Sequence, residues 1–541
     1  MTSPGTAARR WDAIVVGAGH NGLTAGALLA RAGLATLVVE ARDVIGGCCV
    51  TEQIAAGCRA STTSYIASML RPEVIRALDL GRHGLRLVPC EPALQVALDG
   101  GEVLADWADP ARTAAGLARY SPADARAYQA VHAELRELAA RLQPLFTELP
   151  PDTRAGRLRG LGEAVRLGRH LRGLRGTDVE GLTRMLTGSL GQFIDTRFES
   201  RQAKALLLAN NLYGKHGGPY QPGTLIGLLF HLLTGGDDAV QGFFGHVLGG
   251  MGAITQAMAA AGRGHGLEIR TGAPVARIAV TGGLVSGVIL ADGTELAAGT
   301  VLSGADPKRT FLHLVDKAEL PEDFRAAVAG IKMDGPCAKV NLVLDTEPLV
   351  RGMPAAAGPG QRALFTLPPS LAAADACYDR AKRGELAGAD ELFVDCVVAS
   401  AVDPSLAPPG RHIMTCFVQY VPYRLAEGSW DTRRDELGDR VLARIGRFAP
   451  NVPGAVLARQ VLTPADLERT YRLTEGNIFH GDIQPDQLFH MRPVPGWARY
   501  ATPVRGLYLC GAGAHPGGGV TGAPGYNAAH RVLADLKRRS R

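Results

Sequence analysis

The stretch "IVVGAGHNGLTAGALLARAG", residues 14–33, decides the fold. Ile14, Val15 and Val16 form a short β-branched run of the kind that fills a buried parallel strand. Gly17, Gly19 and Gly22 follow with the spacing G-x-G-x-x-G. Gly17 permits a tight turn, Gly19 lets the backbone approach a pyrophosphate, and Gly22 lets a helix pack on the strand. A helix is predicted over 21–32, with Leu23, Ala27 and Ala30 on one face and Gly33 where a C-cap is expected. Its N-terminus offers free N–H groups and the positive end of a dipole. A second strand, "ATLVVE", ends at Glu40, 18 residues beyond Gly22. A carboxylate there is placed to accept hydrogen bonds from a ribose.

Composition narrows the rest. The chain has 541 residues, 46% hydrophobic and 20% charged, as in a soluble protein with more than one lobe. A net charge of +6 is weak for a nucleic-acid binder of this size, so no nucleic acid is expected. The nine cysteines include no C-x-x-C pair and no His/Cys cluster, so reduced thiols, a cytoplasmic setting and no metal site are expected. Cys48 and Cys49 are adjacent, a spacing that bridges only with a distorted peptide, and are not read as a redox couple. No secretory core follows Arg9 and Arg10, and "PGTLIGLLFHLLTGG", residues 222–236, is too short to span a bilayer.

The chain continues from Glu40 as "EARDVIGGCCVTE". The combined run GxGxxG…ExRxxxGG resembles the N-terminal FAD signature of the glutathione-reductase-like flavoproteins, including the monoamine oxidase and phytoene desaturase branch. The resemblance implies an α/β fold with an FAD-binding Rossmann domain and a mixed α+β substrate domain. It also implies noncovalent FAD held by Gly17, Ala18, Gly19, Asn21, Gly22, Glu40, Ala41, Arg42, Gly46 and Gly47. Two positions depart from the signature. Gly26 stands where alanine is usual and weakens the helix slightly. Cys48 stands where amine oxidases usually have arginine, which argues against an amine oxidase.

Two later segments complete a cofactor domain. From residue 249 a helix is followed by strands at "LEIR", "VARIAV", "LVSGVIL" and "TVLSGAD". By resemblance this piece returns to the first sheet, and the backbone of Val275 holds the adenine. Near the C-terminus, the strand "LYLC" enters a loop with seven glycines between positions 511 and 525, followed by a helix with Ala528, Ala529, Val532 and Leu536 on its apolar side. So much glycine costs chain entropy and is explained by backbone closely approaching a ligand. Gly511, Gly513, Gly519 and Val520 are therefore assigned to the flavin. A helix N-terminus here could stabilise negative charge on the reduced ring. No second strand–GxGxxG–helix unit occurs, so no nicotinamide domain is expected and oxygen or a quinone is the expected electron acceptor. No C-x4-C pair follows the first motif, so the chain is not read as a disulfide reductase.

The block 476–529, containing "IFHGDI" and "MRPVPG", resembles the phytoene-dehydrogenase-related subgroup that contains pyridine nucleotide-disulfide oxidoreductase domain-containing protein 2. The resemblance spans about residues 10–537. The expected organisation is FAD-binding pieces at 10–75, 241–310 and 471–541, a mostly helical substrate insertion at 76–240, and a mixed-sheet insertion at 311–470 with strands at "AKVNLVL", "LFVDCVV" and "HIMTCFVQYV".

The expected function is FAD-dependent dehydrogenation of an apolar, carotenoid- or lipid-like small molecule. A non-catalytic FAD-bound regulator and an amine oxidase are the alternatives. His480, Arg492 and His515 are the substrate-side candidates, each with structural hydrogen bonding as the competing role. Residues 224–233, with leucine or isoleucine at six of ten positions, could line an apolar tunnel or simply fill the core. The arginine-rich run 154–176 is read as a solvated face, with peripheral membrane contact as its alternative.

Overall fold

The computed structural model describes residues 10–154, 176–234, 245–354 and 356–540, with positions 156, 162, 165 and 168. The arginine-rich run 154–176 therefore lies largely outside the described residues.

The opening motif folds as strand β1 (Ala13–Val16), helix α1 (His20–Arg31) and strand β2 (Thr36–Val39). Gly33 takes φ +89° just past the helix and donates its N–H to the Ala30 carbonyl, which ends the helix where expected. The first sheet is parallel, in the order β19-β13-β1-β2-β9, with β9 at Glu268–Arg270, β13 at Val301–Ser303 and β19 at Leu507–Leu509. Three distant pieces of chain thus form one sheet, because each carries a short apolar strand that can be buried on both faces. A meander, β10 (Val275–Thr281), β11 (Leu284–Leu290) and β12 (Glu295–Ala297), crosses between β9 and β13.

Gly26 is not merely a weak helix residue. A Cβ there would come within 2.8 Å of Val38 Cγ2 and 3.2 Å of Leu267 Cδ1, so its absence lets α1 lie close on the sheet.

The second sheet has seven strands in the order β18-β14-β17-β16-β15-β6-β7. These are β6 (Leu94–Leu98), β7 (Glu102–Asp106), β14 (Cys337–Leu344), β15 (Leu364–Leu367), β16 (Phe393–Val398), β17 (His412–Gln419) and β18 (Val456–Leu462). The three strands expected in the second insertion are its centre. The insertion expected to be mostly helical also supplies the edge hairpin β6–β7, turning at Asp99-Gly100-Gly101, a strand signal that the sequence reading passed over. Two small pairs complete the strands: β3 (Glu52–Ala55) with β4 (Cys58–Ala60), and β5 (Leu87–Pro89) with β8 (Gly245–Val247). One hydrophobic core surrounds each large sheet. Among the described residues no helix is long and apolar enough to cross a membrane.

Candidate active site

A cavity of about 320 Å³ lies between the two sheets. One wall is the glycine turn. Gly17 takes φ +96°, and a Cβ on Gly22 would sit 2.0 Å from the Gly17 carbonyl oxygen, so the turn requires both glycines. Helix α1 starts at an N-cap, Gly19, with no side-chain cap, which leaves its first N–H groups free for an anionic ligand.

Glu40 is buried at the end of β2. Its Oε2 accepts the Ala18 N–H at 2.8 Å and its Oε1 accepts the Arg42 N–H at 3.0 Å. The Glu40 carbonyl accepts the Ala273 N–H at 2.8 Å, which brings Val275 to the same end of the cavity.

Of the expected cofactor residues, Gly17, Gly19, Asn21, Gly22, Glu40, Ala41, Arg42, Gly47, Val275, Gly519 and Val520 line this cavity. Ala18 and Gly46 support it from behind, the Gly46 N–H donating to the Ala18 carbonyl at 2.8 Å. Gly511 and Gly513 serve packing. A Cβ on Gly511 would meet the Gly304 carbonyl oxygen at 2.4 Å, and one on Gly513 would meet Pro307 Cδ at 2.3 Å.

The substrate-side candidates separate. His480 lines the cavity in a left-handed conformation, φ +57°, and its Nδ1 has no partner. Burial chiefly lowers its pKa, aided by Arg492 and Arg309 against Asp306, which favours a neutral ring. Arg492 does not reach the cavity lining. It is buried and donates to the carbonyls of Asp482, Gln487, Gly481 and Phe479, four bonds that hold the 479–487 loop, and to that of Ala512 in the C-terminal glycine loop. His515 is likewise structural: its Nε2 donates to the Leu145 carbonyl at 2.8 Å, and it packs among Phe146 and Phe489.

Of the apolar segment 224–233, the described side chains Thr224 to Phe230 do not line the cavity. Leu225, Ile226, Leu228, Leu229 and Phe230 are core, Leu228 borders a second cavity of about 140 Å³, and Phe230 makes an edge contact with Phe479 of the main one.

Among the cavity residues that the sequence did not single out are Tyr65, Tyr213, Lys339 and Phe417. Lys339 is buried on β14 with no hydrogen-bond partner, its Nζ 3.6 Å from the centre of the Tyr65 ring. Burial pushes its pKa down to about 7, against the raising effect of Cys416, Asp395, Cys337 and Cys396. A single lysine inside the apolar run "AKVNLVL" was the available signal, because burying an ammonium is costly without a purpose.

Residues 22–533 match the family described as flavin containing amine oxidoreductase. The chain belongs to this family. It is 38% identical to the mouse pyridine nucleotide-disulfide oxidoreductase domain-containing protein 2, over 97% of this chain and 94% of that protein. It is 28% identical to a hydroxyneurosporene desaturase of Cereibacter sphaeroides, over 98% of each. A putrescine oxidase structure superposes with a TM-score of 0.60 at 17% identity, covering 98% of this chain and 99% of that one, which shows the shared fold.

As a flavin amine oxidoreductase family member the chain is an FAD-dependent oxidoreductase that acts on a small molecule and passes electrons to an acceptor. The residues present fit FAD. Around the glycine cradle, Asn21 Oδ1 and Arg42 Nη1 are buried cavity residues' atoms with no protein partner, as expected where a ligand supplies one. Cys48 also lines the cavity, but burial pushes both its thiol and that of Cys49 up to about 12, and all nine cysteines are free. Among the described residues no group of three metal-ligating side chains occurs.

Proposed function

We propose that this oxidoreductase dehydrogenates an apolar substrate, with FAD held by the glycine cradle, Glu40, Arg42 and the backbone of Val275. The observation that carries this reading is the wall facing the cradle. It is built from Tyr65, Tyr213, Phe417, Ile478 and Phe479, with the lone Lys339 ammonium among them. Rings and aliphatic groups favour hydrocarbon, at about 0.8 kcal/mol per buried methylene. The similarity to a relative named for desaturation supports the same class.

FAD, when bound, supplies a hydride acceptor. The aromatic wall orients the substrate and excludes water. Dehydrogenation also releases a proton, and Lys339 Nζ in its free-amine form is placed to take it. Oxygen or a quinone is the proposed acceptor, and the proposed setting is cytoplasmic, with membrane contact only at the periphery.

Anaerobic mixing of the holoenzyme with apolar polyenes, lipids, simple amines and NADPH tests the reading by bleaching of the flavin. Bleaching by an apolar compound supports it. Bleaching by amines alone selects amine oxidation, bleaching by NADPH alone overturns substrate and acceptor together, and no bleaching by any supports a non-catalytic role.

A further inference from the structure

Strand register places Lys339, Phe417, Asp395 and Thr366 in one row across β14, β17, β16 and β15. Directly opposed residues share a face of a sheet, so all four side chains point the same way. Tyr65 crosses that row. Its hydroxyl donates to Asp395 Oδ2 at 2.6 Å, its ring stacks on Phe417 at 6.1 Å, and the Lys339 ammonium lies over its face. Thr366 Oγ1 donates to Asp395 Oδ1 at 2.6 Å, and Asp395 is 2% exposed.

A buried carboxyl reached by the hydroxyls of Tyr65 and Thr366, with Tyr213 also hydrogen-bonding it, belongs to a built network. A phenol that donates to a carboxylate gains electron density on its ring, and the cation on that ring is held more tightly. Burial penalises both charges. It raises the Asp395 pKa and lowers that of Lys339, so the two groups converge, while each charge favours the other.

We propose that Asp395 is a positioning residue that acts through Tyr65 to hold Lys339 at the cavity wall and to set how readily its amine gives and takes a proton. This rests on the reading of Lys339 as the proton acceptor. Of the other titratable groups near Lys339, Cys337 shares its face two residues along β14 and Tyr65 lies over it, Tyr213 hydrogen-bonds Asp395, and Cys416 and Cys396 belong to the next row on the opposite face of the sheet. Burial pushes up the thiols of Cys337 and Cys396 and the phenols of Tyr65 and Tyr213 and so keeps them neutral, which leaves Asp395 as the acid of this group that can carry a negative charge beside the amine.

The chain has eight lysines, so the ε-carbon resonance of Lys339 can be assigned in ¹³C-lysine-labelled holoenzyme with Lys339→Met as the reference. Removing an acid that favours the cation must lower the titration midpoint. Asp395→Asn is expected to lower it by about one unit, a tenfold change in proton affinity. Tyr65→Phe, which keeps the ring and deletes the hydroxyl link, is expected to lower it by less. A midpoint within about 0.3 units of the parent in Asp395→Asn overturns the proposal. If Asp395→Asn loses its flavin, Tyr65→Phe and Thr366→Val carry the test, and an unchanged midpoint in both overturns it. The titration needs no substrate, so a failed bleaching screen with a shifted midpoint removes the dehydrogenase reading alone.

Discussion

Ala18 donates its backbone N–H to Glu40 Oε2 at 2.8 Å, so the glycine turn and the acid at the end of the next strand form one hydrogen-bonded unit. Glu40 therefore shapes the cradle as well as offering the carboxylate proposed to bind the ribose. Replacing it by alanine removes both effects. Loss of two hydrogen bonds to a charged group is worth about 3 kcal/mol, so Glu40→Ala should bind FAD about a hundredfold more weakly. The ratio of flavin to protein absorbance after gel filtration measures this. Equal occupancy in mutant and parent removes Glu40 from the cofactor site.

Arg492 should behave as a structural residue. Arg492→Met leaves five carbonyls with one partner fewer in two buried loops. The expected loss is about 4 kcal/mol of stability, read as a lower denaturant midpoint. A variant as stable as the parent but unable to reduce its flavin would return Arg492 to the substrate side.

Cys48 and Cys49 should be dispensable for electron transfer. Burial keeps both thiols protonated up to about pH 12, and a thiol rather than a thiolate is a poor redox partner. The double change to alanine should leave flavin reduction intact. Loss of reduction with FAD still bound would make them part of the chemistry.

Acid should destabilise the fold through buried histidines. Burial pushes His515 and His246 down to about 4, from an ordinary value of 6.5. Between those values the unfolded chain binds protons that the folded one refuses. Stability should then be full above about pH 6.5 and fall towards pH 4, by at most about 3 kcal/mol for each histidine. Thermal midpoints from pH 7.5 to 4.5 record it, and His515→Gln should flatten the decline. A variant with the parent's slope shows that His515 does not contribute.

Much of the cofactor half was legible because its signals are local. The turn at Gly17, the helix start after Gly19 and the acid at Glu40 depend on spacing along one short stretch, and the structure keeps that spacing. The glycine loop near the C-terminus was legible only in part. Gly519 borders the cavity, whereas Gly511 and Gly513 are glycines because Gly304 and Pro307 lie against them. Composition reports that backbone comes close to something, and does not say whether that is ligand or chain. Arg492 and His515 lie off the cavity lining for a related reason: a polar residue in a conspicuous motif can serve the fold through main-chain carbonyls.

The sequence by itself determined the flavin fold, the cradle and the acid that closes it, since strand, glycine spacing and helix are all set within a few dozen neighbouring residues. Only the tertiary structure decided the facing wall. Tyr65 and Asp395 are 330 positions apart and meet through a hydroxyl and a carboxylate, while Lys339 reaches the same place through the pairing of β14, β17 and β16. Strand register determines which side chains share a face, and a shift of one residue would turn Lys339 away from the cavity. That register is set by the packing of the whole sheet, so no local pattern in the chain could reveal it.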